Sequence, residues 1–420
     1  MGFAGPYLQK QRSFLPAVDI RPHDDVQLIV VIPCYNDPGI IETLNSLYSC
    51  IRPASAVEVF VVVNTSEDAD KDILNLNNIV YESLILWKKN NDSGKIRLWP
   101  VRKTGLPGKY FGVGLARKIG MDEAVYRFNL LNNKNGVIVA LDADTLCAEN
   151  YLVEIENHFN KFPGTEGCSI YFEHPLKGND FDSKVYETIC QYELSLRYYK
   201  QGLKWAGLPF SYHTVGSAFA VRAGAYVKYG GMNRRKGGED FYFIHKITPH
   251  GKYNELNSTS VFPSPRPSDR VPFGTGRAVK KYIEVNDEMK TYCLEAFIDL
   301  KELFSKAGKL YKTGNNEISE FLTVLNKPLE EFLLFINFQQ KIAEINNNVS
   351  TCESFKNRFF QKFNAFFVVK YMNFVHIDYF KKIPVSRAAN DLLQEMGIPR
   401  SDLADAVSLL EVYRKLDWAD

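Results

Sequence analysis

The stretch GVIVALDADT, residues 136–145, decides the fold. Its apolar run 136–141 predicts a buried strand, and two carboxylates, Asp142 and Asp144, follow the carboxyl end of that strand. Ligands bind at this edge in open α/β sheets. If the strand continues, both side chains point to the same side, because side chains alternate along a strand. Two acids spaced this way alone are more typical of a solvated turn, but their position after a buried strand favours a site for Mg²⁺ or Mn²⁺ completed by substrate phosphates.

The preceding sequence alternates apolar runs with helical patterns. Strands are predicted at residues 26–32, 57–63 and 96–101. Helices are predicted after Asp37, with Pro38 in the first turn, and at residues 112–126. Strands that alternate with helices imply a mostly parallel sheet with helices on both faces, so the fold class is α/β.

The character of the chain changes towards its end. Residues 261–277, VFPSPRPSDRVPFGTGR, are rich in proline and glycine, which argues against a regular element. From about residue 279 onward, apolar residues recur at helical spacing. We therefore predict an α/β domain over residues 1–278 and a helical region over residues 279–420. The aromatic segment 355–380 fits a membrane-surface helix or a packed core, and apolar residues on more than one face favour the core.

Composition excludes several classes of protein. A net charge of +2, from 51 basic and 49 acidic residues, argues against a dedicated nucleic-acid binder. Seven scattered cysteines, an odd number without a CxxC pair, argue against a disulfide framework or a zinc site. No apolar run reaches the roughly 18 residues of a membrane span. We predict a cytoplasmic protein and leave open a peripheral contact with a membrane; the oligomeric state is not predicted.

Three further motifs lie in an order that supports the acidic pair. PCYND at residues 33–37 follows the first strand, where a polar turn before a helix favours anions or nucleotides. GVGLAR at residues 112–117 combines small residues with Arg117, a candidate phosphate partner. GGED at residues 237–240 places acids at a predicted helix start, where Asp240 could equally be a helix cap.

Over roughly residues 26–278 the chain resembles the family 2 glycosyltransferases of the GT-A fold. The resemblance is carried by five motifs in order: IPCYN, VVVNTSEDA, GLARKIG, LDADT and GGEDF. The resemblance implies a Rossmann-like mixed, mostly parallel sheet flanked by helices, here followed by the helical C-terminal region. It also implies a metal-dependent, inverting, hexosyltransferase-type enzyme. Such an enzyme moves a sugar from a UDP- or GDP-linked donor to a hydroxyl of a saccharide, lipid or small-molecule acceptor, with Mn²⁺ or Mg²⁺ as cofactor.

The resemblance carries roles for particular residues on the donor side. Residues that match the nucleotide- and donor-binding positions are Pro33, Tyr35, Asn36, Asn64, Gly114, Ala116, Arg117 and Asp142. Asn64 stands where the family commonly has an acid that reads the base, so VNTSED departs from the pattern and leaves the nucleotide open. Asp144, with Asp142, matches the metal site, and Asp144 is the stronger candidate for the direct ligand.

The same resemblance also implies roles for residues on the acceptor side of the sugar. Glu239 and Asp240 match the catalytic pair, in which the aspartate is the usual base. The chemistry agrees, since an acceptor hydroxyl that attacks from the face opposite the leaving diphosphate needs a carboxylate within hydrogen-bond reach. Gly216 and Ser217 are candidates for the sugar pocket. Two histidines, His245 and His213, are candidates for a third metal ligand, although a lone histidine is more often structural. Arg266, Arg270 and Arg277 are candidates to close over phosphates.

Two other functions remain open from the sequence. A sugar nucleotidyltransferase shares the sheet and an acidic metal site, but it has a glycine-rich, arginine-containing loop where this chain has PCYNDPG. A degenerate transferase that binds nucleotide or sugar without catalysis is compatible with the altered VNTSED segment, although the three aspartates argue for a working enzyme.

Overall fold

The computed structural model describes residues 2–11, 15–92, 94–270, 274–285, 287–398 and 405–419. The predicted strand at the acidic pair is present as β4. The strands are β1 (Val26–Cys34), β2 (Ala56–Ser66), β3 (Ile96–Leu106), β4 (Val137–Ala140), β5 (Thr145–Cys147), β6 (Gly167–Phe172), β7 (Phe219–Arg222), β8 (Tyr253–Pro263), β9 (Lys290–Thr291) and β10 (Ile383–Pro384).

Helices lie between the strands of the first part and make up most of the rest. Helix α1 (Gly5–Lys10) precedes β1, and the helices from β1 to β9 are α2 (Ile40–Ser49), α3 (Lys71–Asn91), α4 (Val113–Leu130), α5 (Tyr151–Lys161), α6 (Ser183–Trp205), α7 (Ala223–Lys228), α8 (Glu239–Ile247) and α9 (Thr275–Val285). The later helices are α10 (Leu294–Ser305), α11 (Asn315–Thr323), α12 (Lys327–Phe335), α13 (Phe338–Asn346), α14 (Cys352–Lys362), α15 (Ala365–Asp378), α16 (Val385–Glu395) and α17 (Ala406–Trp418). Short 3₁₀ turns cover Thr248–His250 and Ala307–Leu310.

The described strands β1 to β8 form one mixed sheet in the order β3-β2-β1-β4-β7-β6-β8-β5. The pairs β1–β2, β2–β3, β1–β4 and β6–β8 are parallel, and β4–β7, β6–β7 and β5–β8 are antiparallel. The predicted fold class is therefore confirmed: a mixed, mostly parallel sheet flanked by helices, with a helical C-terminal region.

Both faces of the sheet are buried, which explains the unbroken apolar run of β1. Leu28, Val30 and Ile32 pack into one core with α2, α3 and α5. Ile29 and Val31, on the opposite face, pack into a second core with α4, α7 and α8. Alternate side chains of one strand thus fix the helices on both sides of the sheet.

A third core joins α6 to the C-terminal helices. Cys190, Leu194 and Tyr198 of α6 share it with buried side chains from α10 to α17. The aromatic segment contributes Phe359 and Phe363 to this core, so its interpretation as core packing is confirmed for these side chains. The predicted division at residue 278 falls within α9 and stays a proposal.

The proline-rich segment is more regular than the sequence predicts. Residues at its start belong to β8, which ends at Pro263, and α9 begins at Thr275 near its end. The end of β8 tolerates Pro263 because, in the described residues, pairing with β6 stops at Val261 and Pro263 pairs only with the short β5. Residues 271–273 of this segment lie outside the described residues. In the described parts of the chain, no helix is both long and apolar enough for a membrane span, and the predicted cytoplasmic location stays a prediction.

Candidate active site

A cleft of about 420 Å³ lies at the carboxyl ends of β1 and β4. These parallel neighbours end side by side, so the turns that follow them meet at one edge of the sheet. Strand β7 is antiparallel to β4, so the residues just before β7 reach the same edge. A volume of this size is typical of small-molecule sites. Three separate parts of the sequence are thus brought into one site by strand order alone.

Most of the predicted site residues line this cleft. They are Pro33, Tyr35, Asn64, Arg117, Asp142, Asp144, Gly216, Ser217, Glu239, Asp240 and His245. His213, Arg266 and Arg270 line it as well. Four candidates are not among its lining residues: Asn36, Gly114, Ala116 and Arg277. Asn36 adopts a left-handed backbone conformation, φ 48°, and its backbone N–H donates to Asn77 Oδ1 at 2.9 Å. Gly114 lies where α4 passes the chain before α8, and a Cβ there would be 2.2 Å from the Arg235 carbonyl oxygen.

Arg117 lies at the centre of the site. Its side chain is 1 % exposed. Nη2 donates to Asp142 Oδ1 at 2.6 Å, and Nη1 donates to Glu239 Oε1. The guanidinium therefore joins the acidic turn after β4 to the first turn of α8. A buried carboxylate such as Glu239 requires this kind of partner.

Asp144 turns to a different set of cations. Its Oδ2 atom lies 3.4 Å from Nη2 of Arg266 and 3.3 Å from Nη2 of Arg270. The same arginines donate to the buried Asp37, Arg266 at 2.7 Å. Burial, and then the neighbouring Asp142 and Asp37 carboxylates, raise the pKa of Asp144 to about 6. The two arginines offset part of this concentration of negative charge.

Asp37 is a site residue that the sequence indicated only as the last residue of the PCYND turn, before the predicted helix. It follows the polar turn after β1, and its side chain reaches the arginines of the loop between β8 and α9. Its position two residues after Tyr35, at the carboxyl end of a buried strand, is the feature that could have identified it. Phe111 was also missed. Its ring packs edge-on against Tyr35 with 5.0 Å between centroids, and both rings line the cleft.

Helix α8 presents two acids in its first turn, where the helix dipole favours them. Gly238 precedes them in the left-handed conformation, with φ 68°, which a residue without Cβ adopts at low cost. Glu239 Oε1 accepts a hydrogen bond from Arg117 Nη1, whereas Asp240 Oδ1 accepts one from the Phe241 backbone N–H at 2.7 Å. Burial raises the pKa of Asp240, and the nearby Arg117 lowers it in part.

The histidines are held by protein groups. His245 is buried, its Nδ1 lies 3.4 Å from Thr248 Oγ1, and burial lowers its pKa to about 4. His213 Nε2 lies 2.8 Å from Asp417 Oδ2. Among the residues that the structure describes, no group of three or more His, Cys, Asp or Glu side chains could hold a metal ion.

Asp142 and Asp144 nevertheless have the right donor chemistry for Mg²⁺ or Mn²⁺. Proteins usually hold Mg²⁺ through one or two carboxylates, and substrate phosphates and water complete its shell. Each aspartate is about one-third exposed, and the arginine contacts use Oδ1 of Asp142 and Oδ2 of Asp144. The pair therefore fits a metal that arrives with a diphosphate.

No protein-family model and no curated protein matches the chain. Among solved structures, the chain is similar to S. aureus TarS 1–349 in complex with UDP-GlcNAc, with 15 % identity, a TM-score of 0.41, and 80 % of this chain and 91 % of that chain covered. It is also similar to the mannosyltransferase PcManGT from Pyrobaculum calidifontis in complex with GDP-Man and Mn²⁺, with 14 % identity, a TM-score of 0.35, and 99 % and 93 % covered. Likeness at these values assigns no activity.

Proposed function

We propose that this chain is a glycosyltransferase that moves a sugar from a nucleoside-diphosphate sugar to an acceptor hydroxyl, with inversion at the anomeric carbon. One observation carries the proposal. The cleft combines the acidic pair Asp142 and Asp144, a pair of arginines and the carboxylate of Asp240 at one edge of the sheet. This is the set of groups that a displacement of diphosphate by a hydroxyl requires.

On the donor side, Tyr35 and Phe111 form the aromatic surface for a base, and Asn64 lies on the adjacent strand β2. The diphosphate would lie against Arg266 and Arg270, whose guanidinium groups offset charge on the leaving group. Asp142 and Asp144 would hold a divalent metal, which when bound neutralises the diphosphate as a Lewis acid.

On the acceptor side, Asp240 is the proposed base. It lines the cleft, and no ion pair within hydrogen-bond distance occupies its carboxylate in the described residues. Glu239 is the weaker candidate, because its carboxylate is 2 % exposed and held by Arg117. Burial raises the pKa of Asp240, and a base whose pKa lies nearer to neutral accepts a proton more effectively. Glu239 and Arg117 then act as the frame that positions Asp240 and Asp142.

The test has two readouts. Titration calorimetry measures binding of UDP and GDP with and without Mn²⁺ or Mg²⁺, and a coupled assay measures release of nucleoside diphosphate from a panel of UDP- and GDP-linked sugars. We expect metal-dependent binding of one nucleotide and release from its sugar. Nucleotide binding without release of nucleoside diphosphate from any donor and acceptor would favour the non-catalytic alternative. The absence of both binding and release would refute the proposal.

A further inference from the structure

One face of α6 also lines the cleft that contains Asp240. Side chains at positions 192, 196, 199 and 203, spaced by about one helical turn, line it. We call Tyr192, Leu196, Tyr199 and Leu203 the α6 wall. Phe210 and Phe241 line the same cleft. These six side chains are apolar or aromatic. Lys200 of α6 also lines the cleft, and its ammonium group is paired with Glu255 and Asp417.

The α6 wall and the proposed base Asp240 line the same cleft. Burial raises the pKa of Tyr192, a hydrogen bond with Thr275 lowers it in part, and the negative charge of Asp240 raises it. The ring of His174, which also lines the cleft, lies 6.4 Å from the ring of Tyr192. A molecule whose hydroxyl reached Asp240 would thus have the rest of its body against this wall.

Two buried polar atoms in this region have no hydrogen-bond partner among the described residues: Oη of Tyr199 and Nε2 of His174. The Tyr199 ring is fixed by Tyr292 and Phe297, with centroid distances of 6.0 and 6.1 Å. The His174 ring is fixed through Nδ1, which lies 3.0 Å from Glu193 Oε2. A buried polar atom without a partner destabilises the protein, so a bound molecule that pairs with these atoms would remove that cost.

The proportion of polar to apolar groups along the α6 wall favours one class of acceptor. An oligosaccharide presents hydroxyls on every side and needs many polar partners, whereas this region offers two unpaired polar atoms beside several apolar side chains. We propose that it is an acceptor subsite for a molecule whose hydroxyl is attached to an apolar body, aryl or alkyl. This inference rests on the proposed function for the role of acceptor, but the binding preference does not depend on it.

Binding is measured by titration calorimetry without donor or metal, using 4-nitrophenyl β-glucoside, n-octyl β-glucoside and methyl β-glucoside as probes. The three share a sugar and differ in the apolar body. We expect the aryl or the octyl probe to bind at least about tenfold more tightly than the methyl probe. The tighter of the two distinguishes an aryl from an alkyl body. Equal affinity of all three probes, or no binding by any, would overturn the inference.

Two variants locate the site. Leu196→Asn should reduce that preference to less than about threefold, since a polar side chain then replaces part of the apolar wall. Leu86→Asn, a change of an exposed leucine on α3 outside the cleft, is the matched control and should keep the preference. If Leu196→Asn keeps it too, the probes bind elsewhere and the inference fails.

Tyr199→Phe removes the unpaired hydroxyl and keeps the ring, so it covers the case in which Leu196→Asn does not fold. We expect weaker binding of the tighter probe by about fivefold, with a melting temperature unchanged or raised, because one unpaired buried group is lost. Unchanged affinity would show that the hydroxyl has no part in binding and would count against the subsite. Nucleotide binding, measured separately, tests the proposed function alone.

Discussion

Nη2 of Arg117 donates to Oδ1 of Asp142 at 2.6 Å, which ties the second turn of α4 to the acidic turn after β4. The same guanidinium donates through Nη1 to Glu239. One buried cation therefore sets the distance between the proposed metal side and the proposed base side of the cleft. The arrangement makes Arg117 a positioning residue, since both terminal nitrogens of its guanidinium donate to carboxylates of the protein.

Arg117→Leu should lower the free energy of unfolding by about 3–5 kcal/mol, because it leaves the buried Glu239 carboxylate without its partner. Urea denaturation at pH 7 measures this change. The control is Arg387→Leu, whose side chain is 73 % exposed and 3.9 Å from Asp391, and which should change stability by less than about 1 kcal/mol. Equal effects of the two substitutions would contradict the central role of Arg117.

Gly216→Ala should reduce transfer more than stability. A Cβ there would lie 2.7 Å from Arg117 Nη2 and 3.1 Å from Asp240 Oδ2, so these two groups must shift. Displacement of a reacting group by a fraction of an ångström to 1 Å can reduce the rate by up to about 100-fold. Gly164→Ala is the control, because a Cβ there meets nothing within 4 Å. Steady-state rates and melting curves of both variants test this, and a fully active Gly216→Ala would refute it.

Asp240→Asn should reduce transfer by about 10²–10⁴-fold while nucleotide affinity stays within about twofold, since an amide cannot accept the proton. The pH profile gives a second check. Burial raises the pKa of Asp240, and the base works when deprotonated, so the rate should rise with pH through a pKa above the ordinary aspartate value of about 3.9. Asp240→Glu should keep a rising limb. A rate in Asp240→Asn close to that of the unmodified chain would show that another group is the base.

Replacing both Arg266 and Arg270 with Gln should change the affinities for metal and for nucleotide in opposite directions. Mn²⁺ alone should bind more tightly, since competing cations leave Asp37 and Asp144. UDP or GDP should bind about tenfold more weakly and with less dependence on salt, since phosphate partners are lost. Arg277→Gln, a change at an exposed arginine that pairs with Asp269, is the control. Calorimetry with each ligand measures the two affinities, and a change of both in the same direction would refute the prediction.

Asp417→Asn should destabilise the chain by about 3–5 kcal/mol at pH 7, although it lies in the last turn of α17. The Asp417 carboxylate accepts hydrogen bonds or ion pairs from Arg197, Lys200, Gln201 and His213. These partners lower the pKa of Asp417 in the folded chain, with His213 the largest contributor against the opposing effect of burial.

The pH dependence of this effect has a definite sign. Because the folded pKa is lowered, the stabilisation is fully present above the unfolded pKa of about 3.9 and is lost as the pH falls towards the folded value. The difference between the unmodified chain and Asp417→Asn should therefore shrink below about pH 4. Urea denaturation at pH 7 and pH 3.5 measures it, with the more exposed Asp391→Asn as control. A difference that stays constant over this range would show that the charge of Asp417 is not the cause.

The sequence by itself determined the strands around the acidic pair, the helices between them and the helical C-terminal region. Local pattern was sufficient there, because an apolar strand buried on both faces and an amphipathic helix each follow from the spacing of neighbouring residues. It also indicated that Asp142, Asp144 and Asp240 belong together, through a resemblance in motif order. The regular structure at both ends of the proline-rich segment was missed, because pairing of Pro263 on one side only is a property of the sheet.

Only the tertiary structure decided which charges meet. Asp37 and Arg270 are separated by 233 residues, and Arg117 and Glu239 by 122, so no local pattern relates them. The meeting of α6 with the C-terminal helices likewise determines the α6 wall and the burial of Asp417 beside His213. Ion pairs and unpaired buried atoms depend on the packing of distant elements and on the loss of water around them, which the order of residues along the chain does not specify.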